Sequence, residues 1–354
     1  MINIGIRADG SVSIGMGHIM RCLSLAKGFR NGGCQVYFIS KYKEGIARIR
    51  EEDFEVVKLG DYDFTSPAVG FFYGDEAELQ KETDEIISCI KKYSIDLMFI
   101  DSYNVNQEYF LNLKPFLKKL CYIDDVNRFV YPVDVLINGN ITGETLCYEK
   151  YCQDEVMLLG LRYNFIRSEF KGLPKREVNE EVREIMITVG GADPYDLSTR
   201  LASFILSDKE LKKLKTNIVV GDGFNNKEKL RILSKDNKNI ILHENVSRMS
   251  NIMLNCDLAI SAGGSTLYEL CACGTPTLAV IVADNQQDIV KTLSDRGYIE
   301  CLGWYNDLSD TKLDNKIKSF CNDYYKRKST AEKMQKLVDG EGVKRVVQEI
   351  MKLL

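Results

Sequence analysis

Two successive series of short apolar runs, each run followed by a longer helical pattern, fill this chain from end to end. That alternation restricts its fold more than any other feature. In the first series, apolar runs at residues 3–6, 35–40, 96–100, 120–123 and 133–138 read as strands. The stretch 19–32, closed by Gly32-Gly33, reads as a helix. The second series predicts strands at 184–189, 217–220, 240–242, 258–260 and 277–282, and helices at 197–206, 247–254, 267–272 and 287–296. Strands that alternate with helices build a parallel sheet covered on both faces. Between the two series, residues 167–183 carry Gly172, Pro174 and a dense charge run, the composition of a linker or of a solvated helix face. The expected architecture is α/β, with two Rossmann-like domains facing a cleft. The first spans residues 1–166, a linker follows over 167–183, and the second spans 184–330. A helical segment over 331–354, broken by Gly340 and Gly342, ends the chain. A length of 354 residues suits two cores better than one.

Composition narrows the function classes. A formal net charge of −4 gives no overall electrostatic reason to bind nucleic acid or an anionic membrane surface. Arg7 and Asp9 interrupt the first apolar stretch before it could act as a signal-peptide core. No apolar run approaches the roughly 18 residues of a membrane span, and the longest, around 277–283, suits a buried strand. A cytoplasmic chain is expected, without stable membrane insertion and without a nucleic-acid partner. The 11 cysteines show no CxxC pair, and Cys271-Ala-Cys273 is poorly spaced for a zinc knuckle, so they read as free buried thiols. With only 2 histidines a three-histidine metal site is excluded, and neither a metal nor another cofactor is expected.

In sheets of this kind ligands bind beyond the carboxyl ends of the strands. After the first strand comes Gly15-Met16-Gly17-His18, directly before a helix. Glycines let backbone approach an anion, and a helix N-terminus offers unpaired N–H groups. His18 there is a candidate general base, against the alternatives of a helix cap or a core histidine. In the second half, Gly263-Gly264-Ser265-Thr266 also follows a strand and opens a helix, so its N–H groups and hydroxyls can hold a diphosphate. Glu269, one turn on, is placed to accept from ribose hydroxyls, or is a solvated helix carboxylate. No Gly-Lys-Ser/Thr is present, which sets aside the ATP-hydrolysing P-loop. Asp284-Asn285-Gln286-Gln287, at another strand end, suits hydrogen bonding to sugar hydroxyls or amides, or a helix N-cap. Asp101, Tyr103 and Asp124 stand at strand ends of the first half. There they either bind sugar, tune His18 or cap helices. His243 reads as structural, while the backbone from there to Val246 is placed to read a base edge. The Gly190-Gly191 turn completes the candidate substrate contacts.

These residues resemble a known family. The opening Ile6-Arg-Ala-Asp…Ile14-Gly-Met-Gly-His18-Ile-Met-Arg21-Cys-Leu is similar to that of the UDP-sugar hydrolases of pseudaminic acid biosynthesis. So are Leu159-Gly-Leu-Arg-Tyr163-Asn-Phe-Ile-Arg167-Ser-Glu-Phe170, Ile187-Thr-Val-Gly190-Gly-Ala-Asp193-Pro, Ser261-Ala-Gly-Gly-Ser-Thr-Leu-Tyr-Glu269-Leu and Asp284-Asn-Gln-Gln287. Spore-coat polysaccharide proteins of the same type share the opening. The resemblance spans roughly residues 4–290 and implies the two-domain fold called GT-B. It also implies metal-independent removal of UDP from UDP-2,4-diacetamido-2,4,6-trideoxy-β-L-altropyranose, with His18 as the catalytic histidine. The transferase that makes lipid II shares the Gly264-Ser-Thr…Glu269 pattern. Its first loop usually reads Gly-Gly-Thr-Gly-Gly-His, where this chain has Ser13-Ile-Gly-Met-Gly-His18. That departure favours the hydrolase. A GT-B glycosyltransferase acting on a UDP-N-acetylated sugar is the alternative. A binding protein without turnover is a third class, against which a histidine at a phosphate loop argues. Beyond about residue 300 no diagnostic motif is visible.

Overall fold

The computed structural model describes residues 1–11, 14–60 and 76–354. Ser13 of the opening loop motif lies outside the described residues. The chain divides into two compact units, Met1–Ile166 with Glu341–Leu354, and Arg167–Gly340.

In the first unit β1 (Asn3–Ala8) leads into α1 (Gly17–Asn31), β2 (Gln35–Ser40) into α2 (Lys43–Glu51), and β3 (Glu55–Lys58) is followed by α3 (Glu76–Tyr93). Next come β4 (Leu97–Asp101), α4 (Gln107–Leu113), β5 (Lys119–Ile123), β6 (Val135–Asn138) and β7 (Val156–Leu159). The strands form one sheet in the order β3-β2-β1-β4-β5-β6-β7, every pair parallel. The central strands are apolar on both faces, as a doubly covered parallel sheet demands. Leu97 and Phe99 join the core under α1, while Met98 and Ile100 join the core that includes α3 and α4. Residues one apart on a strand point to opposite faces, so a single run of four apolar residues serves both cores. At the carboxyl edge a buried charged network fills the space between β1, β2 and α3. Arg7 Nε donates to Glu82 Oε1 at 2.7 Å and Nη2 to Asp9 Oδ2 at 2.6 Å. Lys41 pairs with the other Glu82 oxygen, and Tyr109 donates to Glu82 Oε1 at 2.9 Å. Burial would raise the Glu82 carboxyl, but Arg7 and Lys41 outweigh it and hold it down to about 2.

In the second unit β8 (Glu184–Thr188), α5 (Leu197–Ser207), β9 (Lys215–Val220), α6 (Lys227–Asp236), β10 (Ile240–Glu244), α7 (Met249–Asn255), β11 (Leu258–Ala262), α8 (Thr266–Cys273), β12 (Thr277–Ile281), α9 (Asp284–Asp295) and β13 (Glu300–Trp304) alternate strictly. The sheet runs β10-β9-β8-β11-β12-β13, again all parallel. α10 (Asp310–Asn322) and α11 (Tyr324–Gln335) follow. Residues 167–183, expected as a linker, count with this unit.

The stretch beyond 300, where the sequence shows no motif, therefore supplies an edge strand and two helices of the second unit. Residues 331–354, expected as one terminal segment, are divided between the units. α11 stays with the second, while α12 (Gly342–Met351) packs on α1 of the first, burying Val346 and Ile350. The close approach needs a glycine, because a Cβ on Gly28 of α1 would stand 2.6 Å from Val343 Cγ1. No helix among the described residues is long and apolar enough to cross a membrane.

Candidate active site

Strand order builds the first cluster. β4 lies beside β1, with Ala8 opposite Asp101, so the end of β4 meets the loop that opens α1. His18 is the second residue of α1 and Met16 is its N-cap, so the imidazole is not a cap. Nor is it a closed core residue, since its side chain remains 16% exposed. Its Nδ1 stands 2.6 Å from Asp101 Oδ1. An ionised carboxylate only accepts, so this contact places the ring proton on Nδ1 and leaves the Nε2 lone pair available. No hydrogen bond to Nε2 is formed among the described residues. The Tyr103 ring packs edge-on against the imidazole at 4.9 Å between centroids.

Asp101 is held from behind. Arg21, one turn along α1 from His18, grips it with Nε to Oδ2 and Nη2 to Oδ1, both at 2.6 Å. Cys22 Sγ donates to Oδ2 at 3.2 Å. Burial would raise the Asp101 carboxyl, but the Arg21 guanidinium and His18 hold it well below the usual range. Arg21 Nη1 in turn donates to both oxygens of Asp125 at 2.9 Å. Asp125 also accepts from Tyr103 Oη and from Asn140 Nδ2, each at 2.6 Å. It too is depressed, against its burial, by Arg21. Asp124, a candidate from sequence, is engaged elsewhere. It accepts from Tyr131 and Tyr148 and from the backbone of Val126 and Asn127, the pattern of a loop anchor. Sequence reasoning missed Arg21, Asp125 and Asn140. The spacing of three from His18 puts Arg21 on the same helix face, a signal that was available.

Gly15 has φ +81°, which favours glycine, and a Cβ at Gly15 or Gly17 would touch nothing within 4 Å. Packing therefore does not require Gly17, and its bareness leaves the start of α1 open.

The second cluster surrounds the start of α8 in the second unit. Gly263 and Gly264 differ in purpose. A Cβ on Gly263 would meet Val290 Cγ2 at 2.5 Å, so close packing on α9 demands glycine there. A Cβ on Gly264 would meet nothing within 4 Å, so packing among the described residues does not require glycine there. Ser265, the N-cap of α8, makes no capping bond with its side chain and is exposed, and Thr266 begins the helix. Gln286 does not point freely outwards. Its Oε1 accepts from Gly263 N at 3.1 Å and Val282 N at 3.0 Å, tying the glycine loop to α9. Asn285 stands beside it in the first turn of α9, whose N-cap is Ala283 rather than Asp284 or Asn285.

Glu269 is no solvated carboxylate. Its side chain is 13% exposed, and Arg167 grips it with Nε and Nη2, both at 2.8 Å. Burial pushes the Glu269 carboxyl up, and Arg167 only partly reverses this. Arg167 also pairs with Glu169 at 2.9 Å, whose other oxygen accepts from Ser250 at the start of α7. Gly190, with φ +102° and open space at its Cβ, and Gly191 form the turn after β8. Gly191 O accepts from Gly223 N at 2.9 Å. Val246 lies half-buried in the loop between β10 and α7. His243 Nε2 contacts Asn217 Oδ1 at 2.9 Å, a bond between neighbouring strands. Each cluster thus sits at the carboxyl edge of its own sheet. Among the described residues no group of three His, Cys, Asp or Glu side chains is arranged to hold a metal ion.

Known proteins give this geometry a lineage. The glycosyltransferase family 28 C-terminal domain matches residues 185–350. The chain is 28% identical over 301 residues to the uncharacterized protein MJ1062 of Methanocaldococcus jannaschii, covering 81% of itself but only 57% of that longer protein. It is 25% identical to the spore coat polysaccharide biosynthesis protein SpsG of Bacillus subtilis, covering 98% of this chain and 96% of that one. It is 28% identical to the UDP-2,4-diacetamido-2,4,6-trideoxy-β-L-altropyranose hydrolase of Campylobacter jejuni, over 82% of this chain and 96% of that one. Among solved structures, Acinetobacter baumannii MurG superposes with a TM-score of 0.66 at 16% identity, over 99% of this chain and 100% of its own. That likeness establishes the GT-B type of fold. The chain is thus a homologue of SpsG and of the altropyranose hydrolase, built on the GT-B fold.

Proposed function

We propose that this protein hydrolyses UDP-2,4-diacetamido-2,4,6-trideoxy-β-L-altropyranose to UDP and the free 2,4-diacetamido-2,4,6-trideoxyhexose, a step of pseudaminic acid biosynthesis. The observation that carries the reading is the 2.6 Å contact between His18 Nδ1 and Asp101, which presents Nε2 as a base. The similarity to the Campylobacter jejuni hydrolase supports the substrate. In this reading water attacks the anomeric carbon while its proton passes to His18 Nε2. The bond from that carbon to the β-phosphate oxygen breaks, and its electron pair leaves with UDP. The carbon is inverted, and the imidazolium rests against Asp101. Backbone N–H groups of Gly264, Ser265 and Thr266, with the positive end of α8, meet the charge developing on the diphosphate. Gly190 and Gly191 offer a further backbone approach, Glu269 takes the ribose hydroxyls, and the Val246 backbone faces the base. Asn285 faces the sugar or a phosphate, and Gln286, whose Oε1 is held by the glycine loop, offers only its Nε2 amide to them. Gly15 and Gly17 keep the approach to His18 clear, and Asp101 and Tyr103 frame it. A glycosyltransferase using the same kind of donor is the second reading, favoured by the family 28 match.

One assay separates these. Protein treated thoroughly with EDTA is given the UDP-sugar in ¹⁸O-water without any acceptor. UDP release with the label on the anomeric oxygen of the sugar is the expected result. Label in UDP would mean attack at phosphorus and overturn the mechanism. Activity lost to EDTA and restored by magnesium or manganese would overturn the metal-free account. Release that requires an added acceptor would make the enzyme a transferase.

A further inference from the structure

We infer that Asp125 is a positioning residue that selects the tautomer of His18, acting through Arg21. The kinetic part of this inference rests on the proposed role of His18 as a base, whereas the tautomer itself does not. Two contacts compete for one nitrogen. His18 Nδ1 lies 2.6 Å from Asp101 Oδ1 and 3.2 Å from Arg21 Nη2. Bonded to Asp101, Nδ1 donates, and Nε2 keeps its lone pair. Bonded to Arg21, which can only donate, Nδ1 would have to accept, and the proton would move to Nε2. That second tautomer cannot take a proton from water at Nε2. Arg21 therefore supports the base when it faces Asp101 and disables it when it faces the ring.

What holds Arg21 to Asp101 lies on its far side. Asp125 accepts from Nη1 with both of its oxygens at 2.9 Å, which fixes the guanidinium plane so that Nε and Nη2 address Asp101 together. A planar fork between two carboxylates has one orientation, and a lysine there would have many. Asp125 is itself located by Tyr103 Oη and Asn140 Nδ2 at 2.6 Å, from the loops after β4 and β6. The same Tyr103 packs edge-on against the imidazole, so ring and clamp are referred to one side chain.

The test uses ¹⁵N-histidine labelling of the whole protein without substrate. The chain has only 2 histidines, so His18→Gln assigns both, and the ring shifts report which nitrogen carries the proton. Wild type should show the Nδ1–H form of His18. Asp125→Asn should raise the Nε2–H population, while the His243 signals in the other unit stay fixed. The UDP-release rate constant kcat should fall by about 10–100-fold, part of what a general base contributes, with KM nearly unchanged. Tyr103→Phe, which keeps the ring and removes one bond to Asp125, should shift the tautomer in the same direction by less. It also serves should Asp125→Asn fail to fold. An unchanged tautomer in both variants, or a wild-type Nε2–H form, overturns the inference. Wild type that releases no UDP from the sugar overturns the proposed hydrolysis instead, and the ring shifts alone then decide the inference.

Discussion

At the scale of single residues, His18 and Glu269 divide the proposed reaction between chemistry and binding, so their variants should fail differently. His18→Ala should lower turnover by about 10²–10⁴-fold while UDP affinity, read by calorimetry, stays the same. Glu269→Ala should weaken UDP binding by about ten- to hundredfold, the loss of a charge-assisted hydrogen bond. Arg167→Ala should weaken it as well, because Arg167 holds the carboxylate in place with two bonds of 2.8 Å. Wild-type turnover in the first variant, or wild-type affinity in the second, would remove that residue from the site. His18 was legible in the sequence because a glycine loop before a helix is an open position and histidine is scarce here. Its partners were less legible. Asp101 is 83 residues away, and only the adjacency of β1 and β4 makes them neighbours. Asp124 and Asp125 cannot be told apart by sequence, yet one is absorbed by two tyrosines and the other faces Arg21.

Between elements, the buried Arg7–Glu82–Lys41 group ties α3 to the ends of β1 and β2. The Glu82 carboxyl is depressed from 4.5 to about 2. A carboxyl lowered in the folded state contributes stability above its unfolded value, and that contribution is lost as pH falls through the folded one. The wild-type Tm should therefore drop between about pH 4.5 and 2, by an amount reflecting about 3 kcal/mol from this group alone. Glu82→Gln should have a lower Tm at pH 7, since Arg7 and Lys41 each lose a charged partner inside the protein, and should change less across that window. Equal pH slopes for both proteins would show that the group does not govern acid stability. The sequence made Arg7 visible only as an interruption of an apolar run. Edge strands other than β10, which was read at 240–242, were hidden for a related reason, since their burial is partial. β3, with exposed Glu55 and Lys58, carries no apolar alternation, and β13 is interrupted by Gly303 and by the irregular register opposite Ala279 and Val280. The central strands, apolar on both faces, were the ones that composition could reveal.

For the molecule as a whole, the two-unit plan followed from the alternation of strands and helices, but the path of the last helix did not. α12 is amphipathic wherever it goes, and only the match of Val343 and Val347 to bare Gly28 on α1 identifies its seat. Removal of residues 341–354 should expose that apolar seat. Thermal denaturation should then show the first unit melting earlier while the second, complete by Gly340, keeps its transition. A single unshifted transition would mean that α12 contributes nothing to the first core. The same helix sets an order of events during translation. All 174 residues of the second unit, from Arg167 to Gly340, are made after Ile166 and before α12 exists. At about 5–20 residues per second the ribosome needs roughly 10–35 s to make them. Throughout that interval the nascent first unit lacks the helix that covers its α1 face.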